Sequence, residues 1–347
     1  MSYSSNAILT KARAMYAKSL TVENFMDLLN CSSVSEVANY LSANTVYKNV
    51  LSDLPTGYVK RNLFEDSLKK HMLSQFESLA HFEKAIGQEL YRYFVIRNEI
   101  DQIVSCIRLL KTPDADEYLL KMPAFLNGLT TIDLFSLAKS LTYDDIINSV
   151  ASTDYEEILK QFYPIDEKIN LPGIESALIR YSVMKTEEIA KKSLPKKERE
   201  DFLFATRMVN DIKSISNVYR LKFIFKFNPE QIKRFVLIDV KSNIEPKKFE
   251  AIISSDGEED FWSAVYSTCY GHKMKEVPFS STVENRCDRF VFEWATKNFR
   301  FSVYPSVVMF CWIILAENEI KNIIHLTEGI KYNIPRDTIK NQLILGR

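Results

Sequence analysis

The chain has 347 residues, 45 basic and 45 acidic side chains, and a hydrophobic fraction of 46%. Its length exceeds the roughly 250–300 residues that one core organises, so two or three domains are expected. Balanced charge removes any general pull toward nucleic acid or anionic lipid, and the mix is too apolar for a disordered chain. Only 8 residues are glycine, against about 7% in an average protein. A chain that seldom needs positive φ has few tight turns, hairpins or phosphate loops. The expected class is all-α.

In chain order, residues 1–20 lack the continuous apolar run of a secretory signal. Lys11, Arg13 and Lys18 precede the first acid, Glu23, which faintly suits a transit peptide, but Ala7, Ile8, Ala12 and Tyr16 make an ordinary helical stripe. A short helical hairpin is expected over 21–29 and 34–51, with Thr21/Asn24 and Ser33/Glu36 at capping positions. A proline break at Leu54-Pro55 leads into a long antiparallel pair, 62–83 and 86–110. The same order returns as a hairpin over 130–162, a break at Tyr163-Pro164, and long helices over 174–192 and 196–224. Pro195 suits the first turn of the last of these, where a missing N–H costs nothing. A longer, diverged counterpart runs from Asn228 to about Gly271, followed by a break at Val277-Pro278 and helices over 282–297 and 304–327. The apolar run Val307 to Ala316 is half the length a membrane span needs, so it reads as a buried helix.

Three segments align without gaps on the pattern Asn-acid-Ile-x-x-Ile. They are Asn98-Glu99-Ile100 with Ile103, Asn210-Asp211-Ile212 with Ile215, and Asn318-Glu319-Ile320 with Ile323. Their separations, 112 and 108 residues, are close to a third of the chain, and the break prolines recur 43, 46 and 40 residues before each Asn. We therefore expect three homologous helical-bundle units, 1–111, 112–224 and 225–347. The isoleucines form the stripe facing a partner helix. The Asn-acid pairs fall toward the polar flank, either bonding a neighbour within their own bundle or lining a polar face shared between units.

Chemistry-bearing patterns are few. His71, His81, His272 and His325 form no HxH or HExxH, and the five cysteines show no CxxC spacing, so no metal site is expected and the thiols read as free. Asp144-Asp145 lacks the further acids of a magnesium-binding isoprenoid motif and reads as an exposed first helical turn. The acids of Asp256-Gly257-Glu258-Glu259-Asp260 are consecutive rather than alternating, unlike a calcium loop, and read as a solvated loop. No phosphate-cradling glycine loop and no nucleophile elbow occurs, so neither nucleotide binding nor a cofactor nor catalytic residues are expected. The basic cluster Lys191-Lys192 and Lys196-Lys197-Arg199 is balanced by Glu187, Glu188, Glu198, Glu200 and Asp201, as at a mixed-charge helical tip.

The segment Glu317-Asn318-Glu319-Ile320-Lys321-Asn322-Ile323-Ile324, followed by Glu328-Gly329-Ile330-Lys331-Tyr332 and Ile334-Pro335, resembles the C-terminal signature of the V/A-type ATPase C-subunit family, whose eukaryotic vacuolar counterpart is the d subunit. The opening Tyr3 to Leu20 region and the length are similar too; Lys321 stands where relatives commonly carry Arg. The resemblance implies a funnel-like socket of three helical bundles on the cytoplasmic face of the membrane. Its partners would be the central-shaft subunits and the proteolipid rotor ring. The role implied is non-catalytic: carrying torque between an ATP-hydrolysing head and an ion-carrying ring. Two other classes fit the composition: a free-standing helical interaction protein, distinguished by failure to co-purify with rotor components, and an all-α enzyme, which would need a paired acidic motif.

Overall fold

The computed structural model describes residues 3–52, 54, 59–85, 89–110, 130–164, 168–236, 241–279 and 282–346. Among these, eighteen α-helices and no strand are present, in agreement with the expected all-α class. In order they are α1 Tyr3–Tyr16, α2 Val22–Leu28, α3 Val34–Asn44, α4 Lys48–Leu51, α5 Arg61–Ala85, α6 Tyr91–Leu109, α7 Leu134–Ala138, α8 Tyr143–Ser149 and α9 Asp154–Gln161. There follow α10 Leu171–Ser193, α11 Lys196–Tyr219, α12 Pro229–Phe235, α13 Pro246–Ser254, α14 Glu258–Tyr266, α15 Gly271–Glu276, α16 Val283–Phe301, α17 Pro305–Lys331 and α18 Arg336–Gln342. The break proline Pro55 lies outside the described residues.

The chain packs as two compact units. One unit comprises Met1–Ile86, Lys196–Lys233 and Ser242–Arg347; the other comprises Gly87–Pro195 with Arg234–Lys241. In the larger unit, α17 is the central element, packed against α16, α1, α5, α11 and α18. That environment explains its sequence. Val307 through Ile313 are all buried, so the ten-residue apolar run is a helix covered on every side. No described helix is long and apolar enough to cross a membrane. Phe310 meets Phe202 of α11 edge-on at 5.9 Å, and Tyr16 of α1 meets Phe299 of α16 at 4.9 Å. In the smaller unit α6 lies along α10, with α7 and α8 against α6 and α9 against both α8 and α10.

Local chemistry sets the helix ends. Thr21 caps α2 in a reciprocal box with Asn24, and Ser33 caps α3 through the Glu36 N–H. Thr142 and Asp145 make the same box on α8, so Asp145 is a capping residue, while Asp144 accepts from the Tyr163 hydroxyl at 2.9 Å. Glu258, Glu259 and Asp260, expected in a loop, form the first turn of α14, where acids oppose the helix dipole. The expected helix over 34–51 divides at Thr45, whose hydroxyl turns back onto the Leu41 carbonyl. The expected helix over 196–224 is α-helical to Tyr219 and ends in a π-helical turn, Arg220–Ile224.

The N-terminus of α17 has no cap of its own, and Pro305 occupies its first turn. Glu198, expected among the solvated charges of the mixed cluster, is buried against it. Its Oε1 accepts from the Ser306 amide at 3.2 Å and the Ser306 hydroxyl at 2.7 Å.

Ile100, Ile103, Ile212, Ile215, Ile320 and Ile323 are all buried. An aspartate at Ile100, Ile212 or Ile320 would place an unpaired charge in the core. Each of the three substitutions is expected to destabilise the chain by several kcal/mol, read as loss of the cooperative transition or a large fall in the urea midpoint.

Candidate functional site

The residues beside those isoleucines carry the most organised polar chemistry in the molecule. Asn98 and Asn318 are half-buried; Asn98 bonds the Phe94 carbonyl one turn back at 2.8 Å and Asn318 the Ile344 carbonyl in the C-terminal segment at 2.9 Å, and Asn210 is half-buried as well. The acids next to them behave differently from the polar-flank expectation. Glu99 and Asp211 are buried, Glu319 is half-buried, and each accepts hydrogen bonds from a segment far away in sequence.

At Glu99 on α6, Oε1 accepts from the Thr131 amide at 2.6 Å and from the Thr130 and Thr131 hydroxyls, while Oε2 accepts from the Tyr155 hydroxyl at 2.7 Å. At Asp211 on α11, Oδ2 accepts from the Asn243 amide at 2.9 Å and the Tyr270 hydroxyl at 2.6 Å, and the Ser242 side chain also bonds the carboxylate. At Glu319 on α17, Oε2 accepts from the Leu20 amide at 2.8 Å, Oε1 from the Tyr47 hydroxyl at 2.7 Å, and Ser19 contributes a side-chain bond. One recipe recurs: a carboxylate on a long helix, a hydroxyl residue and the next backbone N–H at the start of a short-helix hairpin, and a tyrosine near its end.

The order of these bonds along the chain is informative. The acid at 99 holds the hairpin that begins at 130, the acid at 211 the one that begins at 242, and the acid at 319 the one that begins at 19. Each hairpin is thus held by a long helix other than those that follow it in sequence. The tyrosines and the Ser/Thr donors were not singled out as site residues from sequence. Tyr47 falls within the expected helix over 34–51 and Tyr155 within the expected hairpin over 130–162, while Tyr270 sits in the diverged third copy.

Burial and donors compete at Asp211 and Glu319. Desolvation raises the carboxyl pKa of Asp211; hydrogen bonds from Ser242, Tyr270 and Asn243 and the nearby Arg207 charge oppose it without cancelling it. The Glu319 carboxyl is likewise raised by burial and partly offset by Tyr47, Leu20 and Ser19. Burial first, and the adjacent carboxylate second, push the Tyr155 and Tyr270 hydroxyls far above their ordinary value, so both remain protonated donors. Gly271 helps Tyr270 reach its acid. A Cβ there would lie 1.8 Å from the Tyr266 carbonyl oxygen, so no other residue lets the backbone pass.

Chemically these carboxylates grip. Their oxygens face donors fixed by the fold, and the one beside a cavity, Glu319, borders a space of about 20 Å³, room for a single water. That cavity is also lined by His71, whose pKa burial lowers and whose ring bonds the Gln75 amide. His272 and His325 lie within 3.8 Å of Glu276 and Glu328. Among the described residues no group of His, Cys, Asp and Glu is arranged to hold a metal ion. The basic cluster near residue 190 is neutralised piecewise: Glu187 is buried and paired with Lys241 and Lys191.

The ATP synthase (C/AC39) subunit family model matches residues 8–342, which includes all three acids and all their donors. The chain belongs to this family. Members are non-catalytic subunits of rotary ATPases. Similar proteins include the C subunit of the A-type ATP synthase of Methanosarcina mazei, 24% identical over 97% of this chain and 92% of that protein. The C subunit from Methanosarcina acetivorans is 25% identical over the same shares, and that from Methanococcoides burtonii 24% identical over 97% and 93%.

Two measurements test the grip. Tyr155→Phe and Tyr270→Phe each remove a charge-assisted hydrogen bond from a buried carboxylate, and each should cost about 1.5–3 kcal/mol of stability in urea unfolding. Asp211 has a folded pKa above its ordinary 3.8, so its contribution to stability is complete below that value and is lost as pH rises through the raised one. Asp211→Asn lacks that slope, so its stability deficit against the parent should be largest below pH 3.8 and narrow as pH rises from there through the raised value.

Proposed function

We propose that this protein is the central-stalk socket of a rotary V/A-type ATPase, joining the central-shaft subunits to the proteolipid ring on the cytoplasmic face of the membrane. It binds there peripherally, turns with the rotor, and carries torque between the ATP-hydrolysing head and ion transport. The observation that carries the reading is the family match across residues 8–342, together with C subunits of A-type ATP synthases that align over 97% of the chain. We further propose that the socket is made of three units, 1–111, 112–224 and 225–347. The Asn98, Asn210 and Asn318 motifs with Ile100/Ile103, Ile212/Ile215 and Ile320/Ile323 would be their equivalent anchor helices.

Physical features support this. A part that transmits torque must deform little under load. Only 8 glycines in 347 residues leave few hinges. Each short-helix hairpin is tied to a long helix through a buried or half-buried acid and several donors, so the surface elements cannot slide without leaving a carboxylate unsatisfied.

The test is a deletion strain. Loss of a mechanical link leaves chemistry intact, so the soluble fraction should still hydrolyse ATP while ATP-driven ion uptake by membrane vesicles disappears. Undiminished uptake with the head still membrane-bound would return the chain to the class of free-standing helical interaction proteins.

A further inference from the structure

Five charged residues are buried among the described residues: Glu99, Glu187, Glu198, Asp211 and Arg286. The four acids all have donors. Arg286, in the first turn of α16, meets no carboxylate among the described residues. Its side chain is 1% exposed, and Nη2 donates to the Tyr266 hydroxyl at 2.9 Å and the Met274 carbonyl at 3.0 Å. Nε and Nη1 have no acceptor among the described residues.

The guanidinium sits in the corner between two nearly perpendicular rings that also touch each other, its Cζ 4.1 Å from the Trp262 centroid and 3.8 Å from that of Phe279. Trp262 belongs to the core, but Phe279 is 71% exposed and is therefore a cover over the cation rather than part of the interior. Lys275 adds a second positive charge, its Nζ 5.2 Å from the ring of Tyr266. Cation–π contact offsets only part of the desolvation of a guanidinium, and a charge left without a counter-ion is the costly form of burial.

We propose that Arg286 is a docking site for a carboxylate carried by an acidic protein partner, with Phe279 as its movable cover. The partner's carboxylate bonds the open N–H groups of Arg286 once Phe279 swings outward. The displaced ring then lies against the partner as an apolar anchor, and Lys275 stands at the rim. An unneutralised cation beneath an exposed aromatic residue selects an acidic surface by charge, and the arrangement asks for apolar area next to the acid.

The isolated 347-residue chain tests this without the rest of any assembly, so the result is separate from the rotary reading. Thermal unfolding is compared in sodium glutamate, sodium sulfate and sodium chloride at matched ionic strength, for the parent chain, Arg286→Met and Phe279→Ala. A neutral side chain of similar volume relieves an unpaired buried charge, so R286M in chloride should match or exceed the parent Tm. Glutamate should raise the parent Tm more than that of R286M. Removing the cover in F279A should lower the glutamate concentration needed by about tenfold, because the open state no longer has to be populated first. Equal glutamate responses in the parent and R286M would overturn the proposal. So would an R286M chain less stable than the parent in chloride, since Arg286 would then be a core residue serving Tyr266 and Met274. A sulfate response equal to that of glutamate would also overturn it, by assigning the site to any oxyanion.

Discussion

A carboxylate set into the buried side of a helix cannot be left alone: stripped of water, it must be met by donors or become protonated. At Glu99, Asp211 and Glu319 the donors come from a backbone N–H, a hydroxyl residue before it, and a tyrosine some two dozen residues later. Because the donors sit at the two ends of a short-helix hairpin, satisfying one acid fixes the position of the whole hairpin on the long helix. Short helices of seven to eleven residues such as α2, α3 and α8 are marginal by themselves. Their apolar faces and these acids hold them together.

The same rule explains smaller features. Glu198 is buried because the N-terminus of α17 begins at Pro305 with no capping side chain of its own, and an acid from α11 supplies acceptors for Ser306. Within the same helix, the Asn322 amide holds the C-terminal segment, exchanging bonds of 2.8 and 3.0 Å with the Ile344 backbone. Against this background of satisfied anions, Arg286 is an exception of opposite sign, stabilised by rings and two neutral acceptors.

Much of the fold was legible because it depends on local chemistry. The caps at Thr21 and Ser33, the long helices, and the all-α class follow from spacing, capping residues and scarce glycine. The site was half legible. In the Asn-acid-Ile pattern the isoleucine stripe could be placed by periodicity, yet a helical wheel measures angle from one stripe and so assigned Glu99 and Asp211 to the polar flank. Those helices are covered on more than one side, and what covers them is set by residues 32 to 59 positions away, such as Asn243 and Tyr270 for Asp211. Glu198 was misread for the same reason: within its own segment it is one charge among many, and its partner lies 108 residues downstream. The division at Thr45 turns on one hydroxyl returning to a carbonyl, which propensity does not register.

The bond from Leu20 to Glu319 has a consequence for biogenesis. A ribosome emits the hairpin that starts near residue 19 long before it emits the α17 helix that must hold it, 299 positions later. The first hairpin made is therefore among the last to be completed, whereas the Glu99 acid precedes its donors by only 31 to 56 residues. Vectorial folding from the N-terminus lets α3, α4 and α5 meet early but leaves the hairpin without the α17 helix that completes its support until the end of the chain appears. Closing so long a loop costs entropy before any contact rewards it, which favours late and cooperative completion over stepwise assembly.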